Sequence, residues 1–288
     1  MTSDNQLISK IHKNRRCVPM NRSALNTLTL IILAVLVIWG CAADSTGKEP
    51  TNTATMPQRP LLRVGITPNY PPMIFKLNNK ITGMERDFAF LLGNALDRDV
   101  VFVELPFTEL INALMQEKID IVMSGMTVTQ ARQVRVSFTD PYLKIGQVAM
   151  MRAQDASKFN SLKSIRECNG AVGVVKGTTG EAYVRANFPK AGPIITVEGV
   201  REAVGLLNNR GVDLFVYDAP AIVWLVSENE TTLKGFWEPL NEESLAWAVN
   251  RDNQALLTAV NTALANLKNA GTVNQLVKKW LPYWKTAE

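Results

Sequence analysis

From Leu61 onward, short apolar runs alternate with amphipathic stretches. LLRVGI, VVFVEL and IDIVM are brief and rich in β-branched residues, whereas RDFAFLLGNAL and FTELINALMQ carry apolar residues at three and four residue spacing. The first pattern predicts strands and the second helices, so their alternation predicts βαβ units built on a mainly parallel sheet. A second series follows, with AVGVV, GEAYVRANF, PIITV, VREAVGLLNN, VDLFVY and APAIVWLV. Two α/β units of comparable size are expected. No sequence repeat relates them, so this expectation rests on architecture alone. The chain closes with NQALLTAVNTALANLKNAGTVNQLVKKWL, whose period predicts two helices parted at Asn269, Ala270 and Gly271, with Gly271 capping the first.

Upstream the pattern changes. The apolar run LIILAVLVIWG, residues 30–40, follows Lys10, Lys13, Arg15, Arg16 and Arg22 and precedes Cys41 and small residues. A basic region, an apolar core and a small residue at its end predict a secretory signal over residues 1–40, and the segment starting at Met20 is the more typical form of one. The end of this run, VIWGC, resembles a bacterial lipoprotein lipobox, which implies cleavage before Cys41 and a lipid on that cysteine. Stretched from Ala24 to Ala43, the same region is about the length of a spanning helix, so an uncleaved anchor is the alternative. The rest of residues 41–60, AADSTGKEPTNTATMPQRP, is polar and without apolar period. It reads as a flexible tether spanning roughly 25 Å.

Charge and cysteine content narrow the chemistry. The chain has 31 Lys and Arg against 26 Asp and Glu, but five of the former and one of the latter precede Cys41, leaving 26 against 25. A near-neutral body removes the main argument for a nucleic acid partner. Of Cys17, Cys41 and Cys168, only Cys168 remains as a free thiol in the expected mature body, so no internal disulfide forms there, and it reads as a half-buried structural cysteine. The one histidine, His12, lies in the segment expected to be removed. A Ser-His-Asp triad, a Cys-His pair and a histidine metal site are thereby excluded from the mature body, and neither cofactor nor metal is expected.

Several polar clusters fall just past the carboxyl end of a predicted strand, the place where open α/β sheets bind ligands. LLRVGI leads to Thr67, Pro68, Asn69 and Tyr70; IDIVM to Ser124, Gly125, Met126 and Thr127; AVGVV to Lys176, Gly177, Thr178, Thr179 and Gly180; VDLFVY to Asp218. With Thr129 as N-cap, Arg132 stands at the third helical position, where helix dipole, free amides, hydroxyl and guanidinium can converge on one anion. The alternative is an ordinary cap with a solvated arginine. KGTTGE offers two hydroxyls before a helix starting near Glu181, without P-loop spacing, and could be a plain capped turn. Asp218, two residues before Pro220, either faces a cleft or caps a helix, and Tyr70 and Phe107 are either cleft faces or core aromatics. One anion grip, a second hydroxyl grip, a carboxylate and two aromatic faces would suit a zwitterion.

These motifs resemble the bacterial extracellular solute-binding proteins that bind polar amino acids for ABC importers. The similarity runs from about Leu61 to Trp284 and is carried by LRVGITPNYPP, ITGMERDFAFLLG, KIDIVMSGMTVTQARQVRVSFTDPY, GVVKGTTGE and VDLFVYDAPA. It implies a bilobal periplasmic-binding-protein-like fold of type II: two mainly parallel sheets flanked by helices and joined by a two-strand hinge. The expected lobes are 61–147 with 246–288, and 148–245. It further implies that Arg132 grips the ligand α-carboxylate with Thr127 and, from the opposite lobe, Thr179; that Asp218 and the carbonyl of Gly125 take the α-ammonium; and that Tyr70 and Phe107 flank the ligand. Members that bind basic amino acids often carry an acid where this chain has Thr67, which argues against lysine or arginine. Glu85 and Arg86 replace the aspartate and apolar residue usual in the family, and Glu85 either touches the ligand or solvates the lobe surface.

The resemblance implies closure of two lobes, with crossovers near Gln147 to Met150 and Leu245 to Val249 as hinge. The expected partner is an ABC permease in the inner membrane. The expected form is a monomer, periplasmic or at the cell surface, anchored by lipid on Cys41. Two other readings stay open: an exported cyclohexadienyl dehydratase-like lyase on the same fold, using Glu85 or Lys176 as acid or base, and a ligand-sensing module for a receptor. Within SFTDPY no ligand role is expected for Asp140, only an approach to the hinge.

Overall fold

The computed structural model describes residues 59–284. The expected signal 1–40, Cys41 and most of the tether lie outside the described residues.

Two five-stranded sheets organise this body. In the first the order is Asp99–Glu104, Leu61–Ile66, Ile121–Val122, Ala248–Asn250, Val136–Phe138; in the second it is Ile194–Val197, Val172–Val175, Leu214–Asp218, Gln147–Arg152, Leu233–Phe236. The first three strands of each are mutually parallel, and the fourth runs antiparallel to both its neighbours. Both sheets are therefore mainly parallel, with one inverted strand, and the two lobes share one topology that the sequence shows no trace of. The buried run Val172–Val175 is apolar on both faces, as a strand covered on two sides must be.

The inverted strands have a structural cause. Gln147–Arg152 is the first strand after the chain crosses into the second lobe, and Ala248–Asn250 the first after it returns. Each enters its sheet at the carboxyl end of the parallel strands, pairing Gln147 with Asp218 and Ala248 with Val122. The carboxyl ends of both parallel sets thus point toward the crossover, and the loops leaving them line one cleft. The crossover itself is a two-stranded antiparallel ladder of Leu143–Ile145 with Glu243–Leu245. Two hinge strands are present as expected, the first earlier in sequence than 147–150 and the second meeting the expected 245–249 only at Leu245, because Gln147–Arg152 and Ala248–Asn250 are committed to the two sheets.

Helix Met84–Ala95 buries Met84, Phe88, Ala89 and Leu92 along one face, together with Glu85. The closing helices are Gln254–Asn269 and Thr272–Trp280, and Gly271 between them has φ 73°, the left-handed turn favourable to glycine. SFTDPY buttresses the hinge: Thr139 N donates to Trp247 O (2.9 Å), Tyr142 N to Leu245 O (3.0 Å), and the Tyr142 ring stacks on Trp247. Cys168 is a buried free thiol. No helix among the described residues is long and apolar enough to cross a membrane.

Candidate functional site

Arg132 lies third in the helix Gln130–Gln133, and Thr129 Oγ1 accepts from its backbone N–H at 3.2 Å. The cap is as the sequence predicts. The helix, however, is a single turn of four residues, so its dipole contributes little and the Thr129 hydroxyl is already engaged. What remains for an anion is the guanidinium. Its Nη1 donates to Thr127 O (2.8 Å), its Nη2 reaches Gly177 O on the opposite lobe (3.4 Å), and it lies 5.3 Å over the Phe107 ring. Burial lowers the pKa, opposed by the negative charges of Glu243 and Asp218; an arginine stays charged nonetheless. Among the described residues Arg132 has no carboxylate in ion-pair contact.

Asp218 ends the strand Leu214–Asp218 and stands at the N-cap of Ala219–Glu228, yet its side chain makes no capping bond. Pro220, at the start of that helix, brings no N–H to be capped. The carboxylate instead accepts from Tyr70 Oη at 2.7 Å, across the cleft. Burial, and then the nearby charge of Glu243, raise its pKa to about 7 against hydrogen bonds from Tyr70 and Gln147 and the charge of Arg132. Tyr70 packs edge-on to Tyr217 at 5.2 Å. Gly125 has φ 63°, and a Cβ there would come within 2.6 Å of the Tyr70 ring, so only glycine lets this tyrosine lie against the loop.

Behind that loop is Glu85, fully buried. It accepts from Gly125 N (2.8 Å), Tyr142 Oη (2.5 Å) and Trp247 Nε1 (2.8 Å). Burial raises its pKa and these three bonds oppose the rise. Both sequence expectations for Glu85, ligand contact and surface solvation, are thus overturned: it holds the loop that carries Gly125. Lys176, the other candidate for acid or base, is exposed and pairs with Glu198 at 3.4 Å.

KGTTGE divides its hydroxyls. Thr178 caps the helix Thr179–Asn187, which begins two residues before the expected start, and Thr179 turns into the cleft. There it meets a residue that sequence reasoning missed. Glu243, on the hinge strand Glu243–Leu245, accepts on Oε2 from both Thr127 Oγ1 (2.7 Å) and Thr179 Oγ1 (2.8 Å), and on Oε1 from Asn241 Nδ2 (2.9 Å). Gln147 Nε2 adds a bond to Thr179 Oγ1 (3.0 Å). Tyr217, Gln147 and Asn241 were missed as well, since each matters only once the hinge brings the lobes together. In NEES, Glu243 carries no local sign of burial.

The seven predicted residues fall in two groups, Phe107 under Arg132, Arg132 on Thr127, and Thr127 joined to Thr179 through Glu243, and then Tyr70 between Gly125 and Asp218; Gln147, bonded to Thr179 and Asp218, links the two. Thr67 stays apart, its hydroxyl donated to Leu105 O (2.8 Å) and its N–H to Ser124 Oγ. Phe107 lines two cavities, one of about 570 Å³ with Thr67, Asn69, Leu105, Lys176 and Glu198, and one of about 260 Å³ with Arg132 and Gly177. A larger cavity of about 870 Å³ is lined by hinge and C-terminal residues, among them Leu143, Trp237 and Trp284. None of Arg132, Asp218, Thr127 and Thr179 lines it, whereas Phe107 and Arg132 both line the cavity of about 260 Å³.

Comparison with known proteins bears on the family and the fold. The family model for bacterial extracellular solute-binding proteins, family 3, matches residues 62–283. The chain is 30% identical over 225 residues to ABC transporter arginine-binding protein 1 of Escherichia coli (strain K12), covering 77% of this chain and 90% of that one. Among solved structures, an ancestral arginine-binding protein bound to arginine superposes with TM-score 0.71 at 31% identity, covering 78% of this chain and 99% of that one. The ancestral amino acid-binding protein AncCDT-1, a precursor of cyclohexadienyl dehydratase, gives 0.71 at 33%, covering 76% and 95%. Two lobes of common topology, a two-strand hinge and a cleft of opposed charges are explained together: the chain belongs to the bacterial extracellular solute-binding proteins, family 3.

Proposed function

We propose that this protein captures an amino acid in the cleft between its lobes and presents it, closed, to an ABC-type permease. Arg132 takes the ligand carboxylate beside Thr127 and Thr179, Asp218 and the carbonyl of Gly125 take the ammonium, and Tyr70 and Phe107 flank the carbon skeleton. The observation that carries this reading is the separation of charge in one cleft: an arginine and a buried aspartate, neither in an ion pair among the described residues, facing it from opposite lobes. A buried charge without a partner is costly, so each group favours a ligand that supplies the opposite charge. The lobes, near 61–147 with 246–288 and near 148–245, close about the hinge ladder, and ligand contacts on both sides make the closed state the better binder. The chain acts as a monomer held at the outer face of a membrane by lipid on Cys41, and it binds rather than transforms its ligand, since Glu85 and Lys176 are each engaged away from the cleft centre.

Calorimetric titration of the common amino acids tests this. Arg132→Ala is expected to weaken binding by about 2 to 5 kcal/mol, because the ligand carboxylate loses its charge partner. Unchanged affinity would remove Arg132 from the site.

A further inference from the structure

We infer that Glu243 is a specificity-determining residue of this cleft, selecting ligands that carry one more positive than negative charge; the inference rests on the amino-acid reading above. Three observations lead to it. First, Glu243 reaches the cleft from a hinge strand and touches both lobes, through Thr127 on one side and Thr179 on the other. Second, a threonine hydroxyl has a single hydrogen to donate, and here both are directed to the same oxygen of Glu243. A ligand carboxylate arriving at Arg132 therefore finds the guanidinium but competes with Glu243 for the hydroxyls. Third, the charges around the cleft do not balance.

Arg132 is one cation against two acids, Asp218 and Glu243. Among the described residues Glu243 makes no ion pair; its partners there are two hydroxyls and an amide. At the rim, Lys176 is neutralised by Glu198 and so does not restore the balance. A neutral zwitterion adds equal charges of both signs and leaves one negative charge in the cleft, at the half-buried Glu243, without a cationic partner. A ligand with a second ammonium or a guanidinium within reach of Glu243 completes the set. The acid that the first loop lacks at Thr67 is in this way supplied from the hinge, so Thr67 does not disfavour a basic ligand.

Calorimetry on the purified protein with L-ornithine, L-lysine and L-glutamine decides the matter. The parent is expected to bind at least one of the two cationic amino acids more tightly than L-glutamine, and Glu243→Gln to reduce that preference by roughly tenfold or more, while Glu243→Asp, which keeps the charge, retains most of it. Tighter binding of L-glutamine by the parent overturns the inference without recourse to any variant. An unchanged preference in a folded Glu243→Gln also overturns it, and if Arg132→Ala still abolishes binding, the amino-acid site itself stands. Indifference of all three ligands to Arg132→Ala brings down the amino-acid reading and the role of Glu243 with it.

Discussion

Two buried carboxylates stand on either side of one loop. Glu85 lies behind it in the core of the first lobe, and Asp218 lies in front of it in the cleft, linked through Gly125 and Tyr70. Burial raises the pKa of both. Glu85 is held by three donors, from a backbone amide, a tyrosine and a tryptophan, whereas Asp218 has the Tyr70 hydroxyl and help from Gln147, with a second acid nearby. The first is a structural group whose demands are met inside the protein. The second is left with demand that a bound cation can satisfy. Burial alone does not mark a functional acid; incomplete satisfaction does.

The largest effect should come from removing the satisfied one. Glu85→Ala leaves three buried donors without an acceptor and is expected to destabilise the fold by on the order of 5 kcal/mol, read by chemical denaturation. Asp218→Asn should leave stability at neutral pH unchanged or higher while abolishing binding of α-amino ligands. A fold as sensitive to Asp218 as to Glu85 would erase the distinction.

A pH series separates them next. The unfolded Asp218 titrates near 3.8 and the folded one at about 7, so between these values the folded protein holds a proton that the unfolded chain has released. Stability from this group is therefore greatest below the unfolded value and declines as pH rises through the window, by about 4 kcal/mol in all. Asp218→Asn should flatten that decline in the absence of ligand. Binding of an ammonium requires Asp218 ionised, so affinity should rise as pH passes upward through 7, with protons released on binding. Calorimetry in buffers of different ionisation enthalpy would show this release, and its absence would mean that Asp218 is not the ammonium partner.

The smallest effect compares single hydroxyls. Tyr142→Phe takes one donor from Glu85 and should cost about 1 to 2 kcal/mol of stability. Tyr70→Phe should cost less in stability and shift the pH window of Asp218 upward, since that hydroxyl favours the ionised form.

Much of this molecule was readable in order along the chain. The βαβ alternation, the polar clusters at strand ends, the Thr129 cap and the place of Arg132 all follow from local period and local capping rules, and the structure has them. The hinge was displaced because Leu143–Ile145 and Glu243–Leu245 are three residues each, too short to carry a period of two. Glu85 was misread because polar residues in a helix normally face water, and its donors lie 40, 57 and 162 residues away.

The sequence by itself determined the two α/β units, the near-neutral charge of the body, the absence of histidine chemistry from it, and which residue types stand at the strand ends. Only the tertiary structure decided which carboxylates are satisfied and which are not, and that Glu243 belongs to the cleft. The reason is physical: periodicity and capping act over a few residues, whereas the free energy of a buried charge depends on partners that the fold alone brings within 3 Å or so of it.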